Sequence, residues 1–357
     1  MHYILIILID TMEKVWYILS AHIEFDPIPS HPIYIHCIDE IERKSHIMIR
    51  PQIKSFKQLL QEEKGILAPC VFDSASAHVA ELAGFKAICL SGAELSMAMD
   101  GLPDLGILSL PELEWIVSRI TETCSLPIIV DAEDGFGSVQ NVYRTCRRLA
   151  KAGAMAILME DEAEPGFAKG MVEKNIIPKE EYWSKVRAAK AALEGTDCIF
   201  IARTNVLIDT EEGFQDAIAR CKGSIEAGAD MLLINQLKTM EQARRVSEIF
   251  RGVPMMFPDI NQTVKQPELR ADDLYPLGFN LVTMHFMMKG AMAGMLHYAM
   301  RVAKEGNNLY PRDDRPFQVS GQSAQPFYPV QEWLDFEGEL SGVHRTFWGD
   351  KMDLNKE

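Results

Sequence analysis

The sequence lacks an excess of basic residues. Its 357 residues include 36 lysines and arginines against 51 aspartates and glutamates, which gives a net charge of −15 at pH 7. Nucleic acids and anionic membrane surfaces are bound by basic faces, so this balance argues against both as partners. A small anionic substrate would therefore have to be attracted by a local arginine, lysine or metal ion.

Cysteine pairs with metal-binding or redox spacing are also absent. The seven cysteines form no Cys-x-x-Cys motif and are scattered through apolar segments at positions 37, 70, 89, 124, 146, 198 and 221. His31, His36 and His46 lie near Cys37, but their spacing fits no familiar ligand pattern. We therefore predict buried free thiols, no structural zinc and a reducing, cytoplasmic location.

The N-terminal region has no hydrophobic run of membrane-spanning length. The run from Tyr3 to Ile9 is far shorter than the ~20 residues that cross a bilayer. It has no basic residues before it and ends at Asp10 without a small-residue cleavage site, so it is a poor signal peptide. We predict no membrane association. We also expect residues 1–50 to be an appended or poorly ordered extension, with Met48 as the natural start.

The glycine-rich dinucleotide fingerprint Gly-x-Gly-x-x-Gly does not follow the first predicted strand, which disfavours a doubly wound open sheet. Instead, short apolar strands alternate with amphipathic helices. The eight strands begin near residues 66, 86, 128, 154, 198, 231, 254 and 280. Their number and order predict a (β/α)8 TIM barrel, an α/β fold, over residues 51–305. Residues 306–357 are predicted to form an irregular C-terminal arm.

Acidic residues follow two of these strands. Residues 127–137 read PIIVDAEDGFG, and residues 156–161 read AILMED. Because a barrel places its chemistry at the C-terminal ends of its strands, we predict that these acids line an active site. Carboxylate oxygens suit Mg2+ or Mn2+ better than zinc. The alternative is that the acids only cap the helices that follow.

Two segments interrupt the alternation of strands and helices. Glu162–Pro178 is a long charged loop after the fourth strand, and we predict that it is a lid over the active-site rim; a passive surface loop is the alternative. Phe286–Ala303 is a methionine-rich helix beyond the eighth strand. Such a helix is typical of core packing, and a subunit interface is the second interpretation.

Five motifs in this order together resemble those of the isocitrate lyase and phosphoenolpyruvate (PEP) mutase superfamily over residues 54–306. The first family motif, Asp-x-Asp-x-Gly-Tyr/Phe-Gly, is present with glutamate as its second acid. The matching segments are Asp131–Gly137, Ser91-Gly92, Gly101–Asp104, Glu160-Asp161 and Ala202–Thr204. Each motif alone is a weak signal, whereas five in the right order on the right strands are a strong one.

The resemblance implies a role for each residue of this set. Asp131 would bind Mg2+ or Mn2+ directly, and the metal's water ligands would be held by Asp104, Glu133 and Glu160. The residues with catalytic roles would be Arg203, Glu160 and Asp104. A small carboxylate substrate would be bound by Ser91, Gly92, Ala93, Arg203 and Asn235. The resemblance also implies a homotetramer in which a C-terminal helix is swapped between subunits. A strand-end salt bridge is the alternative role for Arg203.

The lid departs from the pattern of this family. Ala168 stands where the lyase branch has a cysteine that serves as general acid, and Gly166 stands where the mutase branch has a lysine. Asn235 falls where many lyases have a carboxylate, and Asp259 lies near where they have asparagine. The identity of the general acid is therefore open.

The leading hypothesis is a Mg2+-dependent lyase that cleaves a carbon–carbon bond of a small 2-hydroxy or 2-keto polycarboxylate through a pyruvate-like enolate, as a methylisocitrate lyase does. The missing lid cysteine favours, as an alternative, oxaloacetate decarboxylation or chemistry at a P–C bond, as in PEP mutase or phosphonopyruvate hydrolase. A non-catalytic relative that binds a metal or a dicarboxylate is the next hypothesis. A purely structural oligomer is the last.

Overall fold

The structure is a computed structural model that describes residues 53–163, 175–259, 269–307 and 330–346. Its strands are β1 (Ile66–Val71), β2 (Ile88–Leu90), β3 (Ile128–Asp131), β4 (Ala156–Glu160), β5 (Ile199–Thr204), β6 (Met231–Ile234), β7 (Met255–Phe257) and β8 (Phe279–Met284). The helices are α1 (Phe56–Glu62), α2 (Ser74–Leu82), α3 (Gly92–Asp100), α4 (Leu110–Thr121), α5 (Val139–Lys151), α6 (Lys179–Leu193), α7 (Glu211–Glu226), α8 (Met240–Ile249), α9 (Ala271–Leu274), α10 (Met287–Glu305) and α11 (Val330–Ser341).

The eight strands form a closed, all-parallel barrel in chain order. Closure is made by β1 and β8, in which Ile66 is the Cα partner of Leu281. This arrangement confirms the predicted (β/α)8 fold and excludes the open doubly wound sheet. All carboxyl ends of the strands therefore meet at one rim.

The barrel is filled by alternate residues of its strands. Inward-facing side chains such as Ala68, Leu158 and Ile201 form one buried cluster, to which α1 adds Phe56 and Leu59. A second, larger cluster packs the outer faces of the strands against the helices. Both faces of each strand are thus apolar, which is why the strands read as continuous hydrophobic runs.

The structure differs from the prediction in three elements. Helix α3, directly after β2, was not predicted from the sequence. The alternation of strands and helices predicts a full helix before β8, but the described residues there form only α9 and a single 3-10 turn. The predicted irregular arm is wrong for Val330–Ser341, which form α11. The proposed extension, residues 1–50, lies outside the described residues.

All six cysteines in the described part of the chain are free and buried, as predicted. No helix in the described ranges is long and apolar enough to cross a membrane.

Candidate active site

Three ionisable side chains lie at the carboxyl ends of adjacent strands. Asp131 is the last residue of β3, Glu160 is the last residue of β4, and Arg203 lies near the end of β5. Glu160 and Arg203 are Cα partners in the register of β4 with β5. The parallel topology therefore brings together residues that are far apart in sequence.

The guanidinium of Arg203 connects the two acids. Its Nη1 lies 3.0 Å from Asp131 Oδ2, and its Nη2 lies 2.8 Å from Glu160 Oε2. Nε donates to Asn205 Oδ1 at 3.0 Å. Burial alone would lower the pKa of Arg203, but the charges of Glu160 and Asp131 raise it, so the side chain stays cationic. The salt bridge considered as the alternative role of Arg203 is therefore present, and it fixes the cation on the rim.

Glu133 lies in a strained turn directly after β3. Its φ of 53° is unusual for a residue with a side chain. The turn is held because Glu160 N donates to the carbonyl of Glu133 at 2.8 Å. A Cβ on Gly92 would overlap Glu133 Oε1, so the buried carboxylate lies against the start of α3. Glycine at position 92 makes this close approach possible.

These acids carry more negative charge than Arg203 alone can balance. Burial raises the pKa of Asp131 from 3.8 to about 6; Arg203 opposes this shift, and the charge of Glu160 adds to it. Burial together with the charges of Asp131 and Glu160 raises the pKa of Glu133 well above its usual value. Asp104 contributes to both shifts, so its charge reaches the same acids. An additional cation would relieve this repulsion.

The donor set fits Mg2+ in its chemistry. Asp131, Glu133, Glu160 and Asp104 offer only hard oxygen donors, as Mg2+ prefers. Among the described residues, no group of three acidic, histidine or cysteine side chains forms a metal cage. A site with one direct carboxylate and several waters agrees with this geometry, because Mg2+ dehydrates reluctantly and keeps much of its water.

A buried polar network behind the rim orients these groups. Asn205 Nδ2 donates to Glu160 Oε2 at 2.7 Å and to Glu162 Oε1 at 2.6 Å. Asp161 accepts from Thr204 Oγ1 at 2.7 Å and from the backbone N–H of Asn205 at 2.9 Å. Sequence reasoning assigned Asn205 no role. Its position directly after Arg203-Thr204 was the available signal.

Asp134 has a structural role, which differs from the helix capping considered as the alternative for these acids. Its Oδ1 accepts from Phe136 N at 2.7 Å, which closes the turn after β3. The buried ammonium of Lys185 on α6 lies 3.4 Å from its Oδ2 and 3.0 Å from its carbonyl oxygen. This pair ties the turn to the outer helix layer.

The predicted carboxylate-binding residues lie at the N-terminus of α3. Ser91 is its N-cap and makes no side-chain capping bond, while Gly92 and Ala93 are its first residues. Backbone N–H groups at a helix N-terminus favour an anion. Asn235 follows β6, and its backbone N–H donates to Thr204 O at 3.0 Å, so it also lies on the rim.

The two ends of the predicted lid are paired with each other. Glu162 and Ile176 form an antiparallel bridge, and Ala163 N donates to Asn175 O at 2.7 Å. The segment between them, residues 164–174, lies outside the described residues and includes Ala168. Closure of a lid stays a prediction.

Two polar residues at the rim, His285 and Glu94, received no role from sequence reasoning. His285 follows β8, and its Nδ1 lies 3.3 Å from Oε1 of Glu94 on α3. The backbone N–H of His285 donates to Asp259 Oδ1 at 3.0 Å. The available signal was a histidine directly after the eighth strand, at the end of the barrel where chemistry is placed.

The model of the phosphoenolpyruvate phosphomutase family matches residues 56–303. The chain belongs to this family. It is an enzyme of the PEP mutase/isocitrate lyase superfamily, and the proteins similar to it include carbon–carbon lyases. The superfamily recognised from the five sequence motifs is thereby confirmed.

Individual members resemble the chain over most of its length. A 2-methylisocitrate lyase of Halalkalibacterium halodurans is 34% identical over 83% of this chain and 94% of its own. The crystal structure of 2,3-dimethylmalate lyase superposes with a TM-score of 0.68 at 26% identity, covering 81% of this chain and 100% of that chain. A phosphonopyruvate hydrolase, solved in complex with oxalate and Mg++, has a TM-score of 0.62 at 26% identity, with 81% and 95% covered.

Proposed function

We propose that this superfamily member is a Mg2+-dependent lyase that cleaves a carbon–carbon bond of a small 2-hydroxy or 2-keto polycarboxylate. The observation that carries the proposal is the convergence of Asp131, Glu160 and Arg203 on one buried rim. The likeness to 2-methylisocitrate lyase and 2,3-dimethylmalate lyase supports a substrate of this class.

In this mechanism the metal would be held directly by Asp131 and through water by Asp104, Glu133 and Glu160. When bound, Mg2+ would supply positive charge that stabilises the negatively charged substrate oxygen at C2. The Mg++ and oxalate in the related phosphonopyruvate hydrolase support this assignment for the present chain.

The chain's own residues bind and orient the substrate. The N–H groups at Ser91, Gly92 and Ala93 receive a carboxylate, and Asn235 contributes a polar contact. Arg203 places its fixed cation beside the C2 oxygen, an alkoxide in retro-aldol cleavage and an enolate in decarboxylation. Such preorganised charge contributes to catalysis because it needs no rearrangement when the reaction occurs.

A coupled dehydrogenase assay for pyruvate or glyoxylate tests the proposal with 2-methylisocitrate and 2,3-dimethylmalate, with Mg2+ or with EDTA. We expect turnover that EDTA abolishes. Asp131→Asn should lower kcat/KM by ~100-fold or more, because a metal ligand is lost. The matched control is Asp197→Asn, an exposed acid before β5 at the opposite end of the barrel, which should stay active. Metal-independent turnover would contradict the proposal.

Oxaloacetate decarboxylation or P–C bond chemistry is a second candidate. The observation that favours it is Ala168, which leaves no thiol in the lid to act as an acid. Pyruvate and CO2 from oxaloacetate, or pyruvate and phosphate from phosphonopyruvate, would identify these reactions. Stabilisation by Mg2+ and oxalate without turnover of any of the four substrates would contradict both candidate reactions.

A homotetramer and a cytoplasmic location complete the proposal. The oligomer is supported by the outer face of α10, on which Met292, Met295 and Leu296 are each more than half exposed. The buried free cysteines support a reducing compartment.

A further inference from the structure

Three side chains form a hydrogen-bonded row beside the turn that receives the substrate carboxylate. His285 Nδ1 lies 3.3 Å from Glu94 Oε1, and its Nε2 lies 3.5 Å from the sulfur of Cys70. We call this row the Glu94–His285–Cys70 triad. It shares the catalytic rim, but the proposed metal and carboxylate sites do not use it.

Three residues hold His285 in place, two through its ring and one through its backbone. Cys70 lies near the end of β1, and β1 pairs with β8, the strand that precedes His285. Glu94 lies in the first turn of α3, directly after the carboxylate-receiving residues 91–93. Asp259, which follows β7, accepts the backbone N–H of His285. The ring is therefore held at a defined position next to the proposed substrate site.

The charge balance of the triad calls for a cation at His285. Glu94 is only 3% exposed, and within the described part of the chain its Oε2 has no hydrogen-bond partner. A buried carboxylate with an unpartnered oxygen is costly unless positive charge lies beside it. The side chain of His285 is 33% exposed, so this cation remains reachable from the barrel mouth.

The groups that face the ring favour its protonated form. Burial lowers the pKa of His285, but the hydrogen bond that its ring donates to Glu94 and the charges of Asp259, Glu94 and Asp131 raise it above its usual value. The hydrogen bond with Cys89 and burial raise the pKa of Cys70 well above that of a free thiol, so Cys70 stays neutral. Asp131 ends β3 and His285 directly follows β8, so both residues lie at the carboxyl-end rim of the barrel.

We propose that His285 is the general acid of the reaction, and that Glu94 and Cys70 are positioning residues. The inference rests on the proposed function and identifies the proton donor that the proposed reaction needs. In retro-aldol cleavage the substrate hydroxyl loses one proton, and the electron pair of the broken bond stays on the leaving carbon. That carbon takes one proton from His285 Nε2, which leaves its 3.5 Å contact with the sulfur of Cys70 to donate. The hydroxyl proton, passed through solvent, restores the imidazolium. In decarboxylation His285 would protonate the enolate carbon after CO2 leaves.

The reaction needs such a donor because the lid has no cysteine. Ala168 cannot transfer a proton. A general acid contributes typically ~10² to 10⁴ in rate. His285 supplies the function from the rigid end of a strand rather than from a loop.

Steady-state kinetics of His285→Asn with the best substrate test the proposal. We expect kcat to fall ~10² to 10⁴-fold with little change in KM, because proton transfer is lost and binding is kept. In thermal unfolding, Mg2+ and oxalate should raise the melting temperature of His285→Asn as much as that of the wild type. His344→Asn, at an exposed histidine beyond α11, is the matched control and should behave as wild type.

A pH profile tests the positioning role of Glu94. In the wild type, kcat should fall at alkaline pH as the imidazolium loses its proton. Glu94→Gln removes the neighbouring charge and lowers the pKa of His285, so this decline should begin at lower pH. Cys70→Ala should keep the alkaline decline but reduce kcat less than His285→Asn does.

Three results would overturn the assignment. The first is a His285→Asn variant with kcat within a few fold of the wild type. The second is a raised KM with unchanged kcat, which would make His285 a binding residue. The third is an alkaline limb that Glu94→Gln leaves in place.

Failure of the proposed function can be recognised separately. If the wild type turns over none of the four substrates, the lyase proposal and the acid role fall together. Histidine hydrogen–deuterium exchange measured by mass spectrometry still decides the geometry without activity. It should report a pKa for His285 that is raised in the wild type and lowered in Glu94→Gln; equal values would show that the triad does not hold the ring.

Discussion

At the scale of single residues, Arg203 decides how the buried acids of the rim can coexist. It bonds to Asp131 and Glu160 at once, and Asn205 holds its Nε from the side. One guanidinium cannot neutralise all the carboxylates that surround it. The residual repulsion appears in the raised pKa values of Asp131 and Glu133. A divalent cation would complete the balance.

This imbalance predicts a pH dependence of the metal-free protein. The pKa of Asp131 is about 6 in the folded state against 3.8 for a free aspartate, so between these values the folded state binds more protons than the unfolded state. The contribution of Asp131 to the free energy of unfolding should therefore decrease as pH rises from ~4 to ~6. Urea denaturation in EDTA at several pH values measures this slope.

Asp131→Asn is the comparison for that experiment. Its slope over the same pH window should be smaller than that of the wild type, because the titrating group is gone. Added Mg2+ should stabilise the wild type at pH 7 and stabilise it less below pH 6, where protons compete for the carboxylate. A wild type and variant with equal slopes would contradict the prediction.

At the scale of elements, the turn after β3 and the start of α3 act as one unit. Gly92 leaves room for the carboxylate of Glu133, whose backbone is strained by its positive φ. Asp134 in the same turn is tied to Lys185 on α6. Two outer helices thus determine where the acids of one loop point.

Gly92→Ala tests the close approach of α3 to this turn. The added methyl group should displace the Glu133 carboxylate, weaken Mg2+ binding by ~10-fold or more and reduce kcat/KM, since supporting residues of metal sites contribute on this scale. Isothermal titration calorimetry with Mg2+ measures the first effect. Gly290→Ala is the matched control, because a Cβ there meets no atom within 4 Å in α10. Unchanged Mg2+ affinity of Gly92→Ala would contradict the prediction.

Lys185→Met tests the tie between α6 and the turn. Removing one partner of a buried pair leaves Asp134 buried without its cation, so the free energy of unfolding should fall by roughly 3 to 5 kcal/mol. Chemical denaturation measures the loss. Lys185→Met combined with Asp134→Asn should recover part of the stability, because the uncompensated charge is removed. A double variant no more stable than the single one would count against this explanation.

At the scale of the whole molecule, helix α10 has an apolar face that the packing of a single barrel leaves exposed. Met292, Met295, Leu296 and Met300 on this helix are 46–61% exposed. Contiguous apolar surface of this kind marks interaction sites. A second copy of the chain is the occupant that the proposed tetramer requires.

Met295→Glu combined with Leu296→Glu should reduce the assembled species, because charges would be buried at the interface. Size-exclusion chromatography with light scattering measures the mass, and we expect a shift from tetramer to smaller species. Ile249→Glu, an exposed aliphatic position at the end of α8, is the control and should leave the mass unchanged. A monomeric wild type would contradict the proposed tetramer. A double variant with the same mass as the wild type would show that this face of α10 is not the subunit interface.

The periodicity of the sequence was sufficient to predict the barrel and the acidic ends of its strands. Strands buried on both faces read as apolar runs, and acids at their ends, such as Asp131 and Glu160, are visible without a structure. Helix α3 was not predicted from the sequence. The length of α3 and the close approach of Gly92 to Glu133 depend on contacts between separate elements.

The sequence by itself therefore determined the eight-stranded fold and the acidic rim, since both follow from local patterns repeated along the chain. Only the tertiary structure decided which residues meet across the barrel. Cys70 and His285 are 215 positions apart, and Glu94 and His285 are 191 apart. No local pattern encodes such pairs, because the contact exists only once β1 and β8 have closed the barrel.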